Sequence, residues 1–101
     1  MKVRILQSAF DDLDDGAAFY EERQAGIGGY FVDSLLSDID ALALYGGIHR
    51  VIRGYHRALS KRFPYAIYYR IIGESVVVHA VLDCRRNPRW TARQLQRRKK
   101  R

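Results

Sequence analysis

Residues 61–70 read Lys61-Arg62-Phe63-Pro64-Tyr65-Ala66-Ile67-Tyr68-Tyr69-Arg70. Aromatic and β-branched side chains favour extended backbone, so the part from Tyr65 onward is predicted to be a strand of a core sheet. Basic residues stand at both ends of the stretch, and their side chains suit a polyanion or an acidic partner. The stretch therefore predicts a sheet with a charged surface beside it.

Charge is divided unequally along the chain. Residues 1–49 hold three basic and nine acidic side chains, a net charge of −6, whereas residues 50–101 hold fifteen basic and two acidic ones, a net charge of +13. The whole chain carries +7 at neutral pH, with a pI near 9.9. Segregated positive charge of this kind is typical of proteins that bind a nucleic acid, a ribosome or an acidic protein surface.

The composition predicts one small domain. A chain of 101 residues with 48% hydrophobic and 29% charged residues can build one core and is too short for two. The single cysteine, Cys84, predicts no internal disulfide and a cytoplasmic location, and it is interpreted as buried at a strand end. No signal peptide or membrane span is expected, because acidic residues follow from Asp11 and no apolar run is long enough. The expected domain covers residues 1–96, and residues 97–101 form a basic tail.

Two helices are predicted after a short N-terminal strand. Ser8-Ala9-Phe10-Asp11 resembles a capping box, which predicts a helix that begins there and ends near Arg23. Glycines then permit a tight reversal into a second helix that ends at Tyr45, so the two helices form an antiparallel hairpin. Residues three or four apart give each helix one apolar face: Phe10, Leu13, Ala17 and Tyr20 in the first, and Phe31, Leu35, Ile39 and Leu42 in the second.

From residue 48 the apolar period changes to two, which predicts strands. Extended segments are expected over residues 48–52, 55–60, 65–72 and 75–83, and Gly73-Glu74 joins the last two as a β-hairpin. Alternation in the last strand places one set of side chains in the core, Val76, Val78, Ala80 and Leu82, and turns the other away from the helices, Val77, His79, Val81 and Asp83.

These elements predict an α+β fold with the order β-α-α-β-β-β. A small, antiparallel-rich sheet carries the N-terminal helical hairpin on one face and cationic strand residues on the other. Asn87-Pro88 suits the start of a helix, so a short C-terminal helix or arm follows the last strand.

Several short motifs occur in order along the chain: Ser8 and Leu13, Phe19-Tyr20-Glu21, Gly26-Ile27-Gly28 with Phe31, Tyr55-His56-Arg57, Arg62-Phe63-Pro64-Tyr65-Ala66-Ile67-Tyr68-Tyr69, and Val76 to Val81 followed by Arg85-Arg86-Asn87-Pro88. In this order and spacing they resemble the RelE/ParE superfamily of type II toxin–antitoxin toxins, closer to the ParE-like branch. The resemblance implies a toxin that a cognate antitoxin neutralises in a toxin–antitoxin hetero-oligomer. ParE-like members act on DNA gyrase, whereas RelE-like members cut mRNA in the ribosome.

The candidate site residues depend on which target applies. For a binding protein that poisons gyrase, the expected contact residues are Arg57, Lys61, Arg62, Arg85, Arg86 and Trp90. The alternative, a metal-independent mRNA endoribonuclease, needs groups that transfer protons, and His79 and Tyr68 are the candidates. A third hypothesis is a non-toxic family member that only binds an antitoxin. Three scattered histidines and one cysteine give no zinc spacing, so no metal or cofactor is expected.

Overall fold

One five-stranded sheet organises the computed structural model, which describes residues 1–99. The elements in chain order are β1 (Lys2–Ile5), α1 (Gln7–Arg23), α2 (Ile27–Asp40), α3 (Leu42–Tyr45), β2 (Val51–Ile52), β3 (Tyr55–Leu59), β4 (Tyr65–Ile72), β5 (Ser75–Asp83) and α4 (Pro88–Arg98). The predicted α+β class and order of the main elements are confirmed. The second predicted helix is divided into α2 and α3, and the first predicted strand after it is reduced to the two residues of β2.

The strand order in the sheet is β1-β5-β4-β3-β2. β1 runs parallel to β5, and every other neighbouring pair is antiparallel. The β4–β5 hairpin turns at Gly73, whose φ of 61° lies in the left-handed region that glycine adopts without strain. Both hairpin strands have the bounds that their pattern predicts, and the tyrosine-rich segment is the middle strand of the sheet.

The helical hairpin covers one face of this sheet. The apolar face predicted for the second helix is confirmed, because its four residues are all buried in the same cluster: Phe31, Leu35, Ile39 and Leu42. Gly16 lets α1 approach α2 closely, since a Cβ at that position would lie 2.5 Å from the Phe31 ring. Burying side chains of this size stabilises the fold by about 1.5–3 kcal/mol each.

The start of α1 differs from the prediction. The helix begins at Gln7 without a side-chain cap, and the Ser8 hydroxyl donates a hydrogen bond to the His79 carbonyl at 2.8 Å. Ala9 is fully buried, whereas Phe10, expected in the apolar face, is exposed. The prediction that Ser8 caps the helix is therefore wrong, because this hydroxyl satisfies a strand carbonyl instead.

A β-bulge interrupts β5 at His79. Tyr68 pairs with Ala80, but the next residue of β4, Tyr69, pairs with Val78. His79 is thus an extra residue without an opposite partner, which shifts the alternation of side chains by one position.

The bulge changes which residues of β5 share a face. Val76, Val78 and Val81 pack in the cluster under the helical hairpin, whereas Ala80 and Leu82 pack in a second cluster on the opposite face. The predicted continuous core face from Val76 to Leu82 is wrong for this reason. The side chains of β5 therefore change faces halfway along the strand.

α4 covers the second face of the sheet. Its Leu95 packs against the cluster that includes Tyr55 and Tyr68, with Trp90 at the margin. The Tyr55 hydroxyl donates a hydrogen bond to the Leu95 carbonyl at 3.3 Å. The cationic residue Arg57 lies on this face, as expected, because it pairs with Tyr68, and the C-terminal segment folds back as a helix and buries the middle of the same face.

α4 also extends into the expected tail. Arg97 and Arg98 belong to the helix, whereas Lys100 and Arg101 lie outside the described residues. The division of the chain after residue 96 stays a prediction. Every helix within residues 1–99 falls short of the length and hydrophobicity that a bilayer span requires.

Candidate cationic interface

A pocket of about 200 Å³ opens where β3, the end of β5 and α4 meet. Arg53, Arg57 and Arg86 line it together with Tyr68 and Cys84, and we call it the cationic pocket. None of its described lining residues is acidic, so it concentrates positive charge in a way that suits an oxyanion. Cys84 is exposed, so its expected burial is wrong; β5 ends one residue before it.

Arg57 is held in the pocket by two side chains. It pairs with Tyr68 across β3 and β4, and its Nε donates a hydrogen bond to Tyr68 Oη at 3.2 Å. Another guanidinium nitrogen contacts Cys84 Sγ at 3.5 Å. The hydrogen bond to Tyr68 raises the pKa of Arg57 and outweighs the opposing effect of burial. The guanidinium is therefore charged and fixed in orientation.

Arg86 lines the cationic pocket, and Trp90 lies beside it in the lining of a neighbouring pocket. The guanidinium carbon of Arg86 lies 4.0 Å from the centroid of the Trp90 ring, a cation–π contact. The start of α4 positions this pair: the Asn87 side chain accepts a hydrogen bond from Arg89 N at 2.8 Å, and Pro88 begins the helix. The helix start predicted at Asn87-Pro88 is confirmed, and it places Trp90 under Arg86.

Arg85 turns away from the cationic pocket toward α1. Its guanidinium forms a bidentate salt bridge with Asp83, with nitrogen–oxygen distances of 3.0 and 2.8 Å, and also contacts Tyr20 Oη at 3.3 Å. Burial acts to raise the pKa of Asp83, but the hydrogen bonds from the Arg85 side chain and backbone outweigh it and lower that pKa. The charge of Arg85 is thus balanced locally.

Arg62 and Lys61 lie in the loop between β3 and β4, and both are exposed. The Cys84 N–H donates a hydrogen bond to the Pro64 carbonyl at 2.8 Å, which ties this loop to the end of β5. The Lys61 N–H donates to the Asp38 carboxylate at 3.1 Å, so this lysine lies beside the helical hairpin. Of the six predicted contact residues, the structure brings together Arg57, Arg86 and Trp90 and spreads the others around the same end of the sheet.

The two proton-transfer candidates lie in different surroundings. Tyr68 lines the cationic pocket, whereas His79 does not. His79 is only 2% exposed, and its Nε2 accepts a hydrogen bond from Arg70 Nε at 3.1 Å. Burial, helped by the positive charges of Arg70 and Arg98, lowers the pKa of His79 to about 4. Near neutral pH this histidine is therefore neutral, and Nε2 is occupied. Within residues 1–99, His, Cys, Asp and Glu side chains form no group of three that could hold a metal ion.

Sequence reasoning missed Arg53. This residue has a φ of 54°, and Gly54 after it has a φ of 84°, the two positive angles of a type I′ hairpin turn between β2 and β3. Arginine is strained there, because its Cβ crowds the backbone, whereas asparagine and glycine adopt this region readily. The Arg53-Gly54 pair between two extended segments was the feature of the sequence from which this turn could have been predicted.

Replacing Arg53 with asparagine is expected to raise the free energy of unfolding by about 1 kcal/mol, because asparagine relieves the left-handed strain. Urea denaturation of the two proteins measures the difference. Arg50→Asn is the matched control, since it makes the same charge change at an exposed position without a positive φ. Equal shifts in the two variants would show that charge, not backbone strain, is responsible.

The fold is similar to a solved structure, although no family model and no curated protein matches the chain. That structure is described as "Chromosomal ParDE TA system from P. aeruginosa", and one of its chains matches with a TM-score of 0.70 and 17% sequence identity. The match covers 80% of this chain and 92% of that chain. At this level of identity the likeness shows the fold alone.

Proposed function

From its RelE/ParE-like fold, we propose that the chain is the toxin of a type II toxin–antitoxin system, of the ParE-like kind. It acts in the cytoplasm by binding a macromolecular target such as DNA gyrase and blocking its function. A cognate antitoxin neutralises it in a hetero-oligomer. The cationic pocket is the observation that carries the proposal, and the fold likeness to a ParDE system supports it.

The proposed target contact consists of oriented guanidinium groups. Arg57 and Arg86 offer fixed donors to a phosphate or carboxylate, and Trp90 adds an aromatic surface of the kind that dominates binding energy at interfaces. A pocket of about 200 Å³ is smaller than most small-molecule sites, which begin at about 300 Å³. It therefore suits one anionic group of a large partner, and the protein acts by binding rather than by catalysis.

The remaining candidates, Lys61, Arg62 and Arg85, extend this contact as rim charges. All three are exposed at the same end of the sheet as the cationic pocket. Rim charges change the rate of association and its salt dependence more than they change affinity. Arg85 contributes least in this proposal, because Asp83 already balances it.

The Arg57→Ala/Arg86→Ala double variant is expected to inhibit gyrase supercoiling about 30-fold less strongly or worse, the loss typical of removing a central interface anchor. Inhibition is measured over a range of toxin concentrations with purified gyrase. Lys2→Ala/Arg4→Ala is the control, because it removes the same charge from exposed positions on β1, at the far edge of the sheet.

Two results would contradict this proposal in different ways. No inhibition by the unaltered chain at micromolar concentration would remove gyrase as the target. Equal losses in the two double variants would remove the cationic pocket as the contact, because general charge would then explain the effect.

One contact favours a second candidate function. The hydrogen bond from Arg57 places the Tyr68 hydroxyl beside a guanidinium, which suits a RelE-like, ribosome-dependent mRNA endoribonuclease. There Arg57, Arg62, Arg85 and Arg86 would stabilise phosphate charge, and Tyr68 or His79 would move protons. Toeprinting of a translated message tests it: new ends inside the ribosomal A site that persist in Tyr68→Phe and His79→Ala variants would disprove these roles.

Normal growth on expression without antitoxin would instead favour a non-toxic, antitoxin-binding protein.

A further inference from the structure

α4 presents a cationic surface that is separate from the cationic pocket. Residues 84–99 contain seven basic side chains and no acidic one. Because Leu95 is buried against the sheet, the opposite side of the helix faces solvent. Arg89, Arg93 and Gln96 lie on that side at spacings of four and three residues, and all three are exposed. We call these three residues the outer face of α4.

The positive charges of the outer face are not balanced within the described part of the protein. Each of the two salt bridges within residues 1–99 uses another arginine, Arg85 or Arg98. The Asn87 side chain binds Arg89 only through its backbone N–H, at 2.8 Å, so the guanidinium group stays in solvent. Both guanidinium groups of the outer face can therefore bind an anion from outside.

The surroundings of the outer face differ on its two sides. Toward α1, Arg97 lines a pocket together with Asp15, so positive charge is offset there. Toward the β2–β3 turn, Lys99 Nζ lies 3.0 Å from the position that a Cβ at Gly54 would occupy, which places this lysine on the turn beside Arg53. Positive charge thus continues from the outer face toward the turn and ends at the acidic helix.

The composition of the outer face favours a nucleic acid over a protein. A stable protein–protein interface has an apolar centre within a polar rim, whereas the outer face holds only arginine and glutamine. Contacts between arginine and phosphate need no apolar centre, because released counterions supply the free energy. Arg89 and Arg93 are about 6 Å apart along the helix axis, and duplex DNA carries one phosphate per about 1.7 Å of its axis, so each guanidinium can meet its own phosphate.

The shape of this surface favours duplex DNA among the nucleic acids. Single strands are bound through open aromatic rings on which bases stack, but the Trp90 ring of α4 is half-buried and has the Arg86 guanidinium over it at 4.0 Å. The major groove of B-form DNA admits an α-helix, whereas that of A-form RNA is too narrow for side chains to enter. A surface helix with arginines along its exposed side therefore fits B-form DNA.

We propose that the outer face of α4 binds the phosphate backbone of duplex DNA without sequence preference, with Arg89 and Arg93 as the contacts. Phosphate contacts carry no sequence information, so this surface holds the protein on DNA of any sequence. The inference goes beyond the proposed toxin function and does not depend on it, because the outer face shares no residue with the cationic pocket.

Fluorescence anisotropy of the full chain with a labelled duplex DNA of random sequence, over a series of salt concentrations, tests the inference. Arg89→Gln/Arg93→Gln should weaken binding about 10-fold or more at low salt and reduce the slope of log K against log salt by about 1.8, since each phosphate contact contributes about 0.9. Glutamine is as good a helix former as arginine, so α4 should stay folded. Lys2→Gln/Arg4→Gln is the matched control, because it makes the same charge change at exposed positions of β1 and should keep the slope.

Adding charge to the same face gives a second test that does not depend on a loss of function. Gln96→Arg should strengthen binding and steepen the slope by about 0.9, because it offers one more guanidinium to the backbone. Gln24→Arg is its matched control, since Gln24 is an exposed glutamine just after α1. The control should leave the slope unchanged.

Three results would overturn the inference. The first is no binding of the unaltered chain to the duplex at low salt, and the second is an equal effect of each variant and its control, which would assign binding to net charge. The third is equal or tighter binding to single-stranded DNA or to duplex RNA of the same sequence. The assay contains neither gyrase nor an antitoxin, so each of these results leaves the proposed function intact, and a chain that binds DNA but does not inhibit gyrase would remove only that function.

Discussion

Replacing Asp12 with alanine should lower the free energy of unfolding by about 3–5 kcal/mol, the usual cost of removing one partner of a buried ion pair. Small domains have a total stability of only about 5–15 kcal/mol, so this loss is a large part of it. Thermal unfolding should occur at least about 12 °C lower, because a domain of this size loses about 4–8 °C per kcal/mol.

The effect is large because Asp12 joins three elements. Its Oδ1 accepts a hydrogen bond from Arg98 of α4 at 2.9 Å, and its Oδ2 accepts one from Val81 N of β5 at 2.9 Å. The side chains of Asp12 and Arg98 are only 11% and 13% exposed. β1 pairs with β5 only as far as Val78, so beyond that point α1 side chains take the place of a neighbouring strand. Without Asp12, the Val81 N–H loses its acceptor, and the Arg98 guanidinium keeps only neutral acceptors, the His79 carbonyl at 3.2 Å and Gln94 Oε1 at 3.3 Å.

The pKa of Asp12 shows that burial destabilises the charged carboxylate more than its pairing with Arg98 stabilises it. Burial raises this pKa, and the hydrogen bonds from Arg98 and Val81 offset only part of the rise. A raised carboxyl pKa contributes stability that is present below 3.8, the unfolded value, and is lost as pH rises through the folded value. Replacing both partners with apolar residues, as in Asp12→Leu/Arg98→Met, should therefore recover most of the loss caused by Asp12→Ala.

Urea denaturation of the purified variants checks this prediction. Asp14→Ala is the control, because Asp14 is exposed on the same helix and its removal should change stability by no more than about 0.5 kcal/mol. A loss below about 1 kcal/mol for Asp12→Ala would show that water replaces the carboxylate at the edge of β5, and that α4 is held mainly by Leu95.

The elements predicted correctly are those whose pattern is local. The bounds of β4 and β5, the end of α1 at Arg23 and the cap at Asn87 follow from residues that are neighbours in sequence. The errors concern residues whose partners are distant. Ser8 hydrogen-bonds to a carbonyl 71 positions away, and no local pattern distinguishes that serine from a helix cap.

The faces of β5 could not be predicted because alternation carries no mark of a bulge. Residues 76–82 are apolar except for His79, so the sequence does not distinguish the two faces, and the shift at His79 arises from pairing with β4 and from contacts of α1 and α4. The packing of α4 on the second face was not predicted for a related reason. α4 is so rich in basic residues that its sequence does not identify Leu95 as the side chain that packs the helix against the sheet.

Part of the candidate site was predictable and part was not. Arg57, Arg86 and Trp90 were expected from residue type; the structure places Arg57 and Arg86 in the lining of one pocket and packs Trp90 against Arg86. Arg85, unlike its neighbour Arg86, has its charge balanced by a carboxylate, because Arg85 hydrogen-bonds to Asp83 two residues earlier at the strand end. Arg53 joins the pocket only because of a hairpin turn that arginine rarely occupies.

The unaltered chain should lose about 3 kcal/mol of stability through His79 as pH falls from 6.5 to about 4, since each unit of pKa difference is worth about 1.4 kcal/mol. In the unfolded chain the imidazole binds a proton near pH 6.5, whereas in the folded chain burial with Arg70 and Arg98 nearby lowers the pKa to about 4. The unfolded state therefore takes up the proton first. The stability from this group is fully present above pH 6.5 and is lost as pH falls toward 4.

The His79→Gln variant isolates this contribution, because glutamine can still accept a hydrogen bond from Arg70 but does not titrate. Urea denaturation at a series of pH values should give a flatter profile for the variant between pH 6.5 and about 4. His49, whose pKa is also lowered by burial, and Asp12 are present in both proteins, so their effects cancel in the difference.

Direct titration of the His79 imidazole by NMR provides the independent check. A pKa near 6.5 in the folded chain, or parallel stability profiles for the two proteins, would contradict the prediction. The result also bears on function. A histidine that stays neutral down to about pH 4, with Nε2 bound to Arg70 and only 2% exposed, has no route by which to take a proton from a substrate near neutral pH. Confirmation would leave Tyr68 as the remaining proton-transfer candidate and would strengthen the case that this protein acts by binding its target.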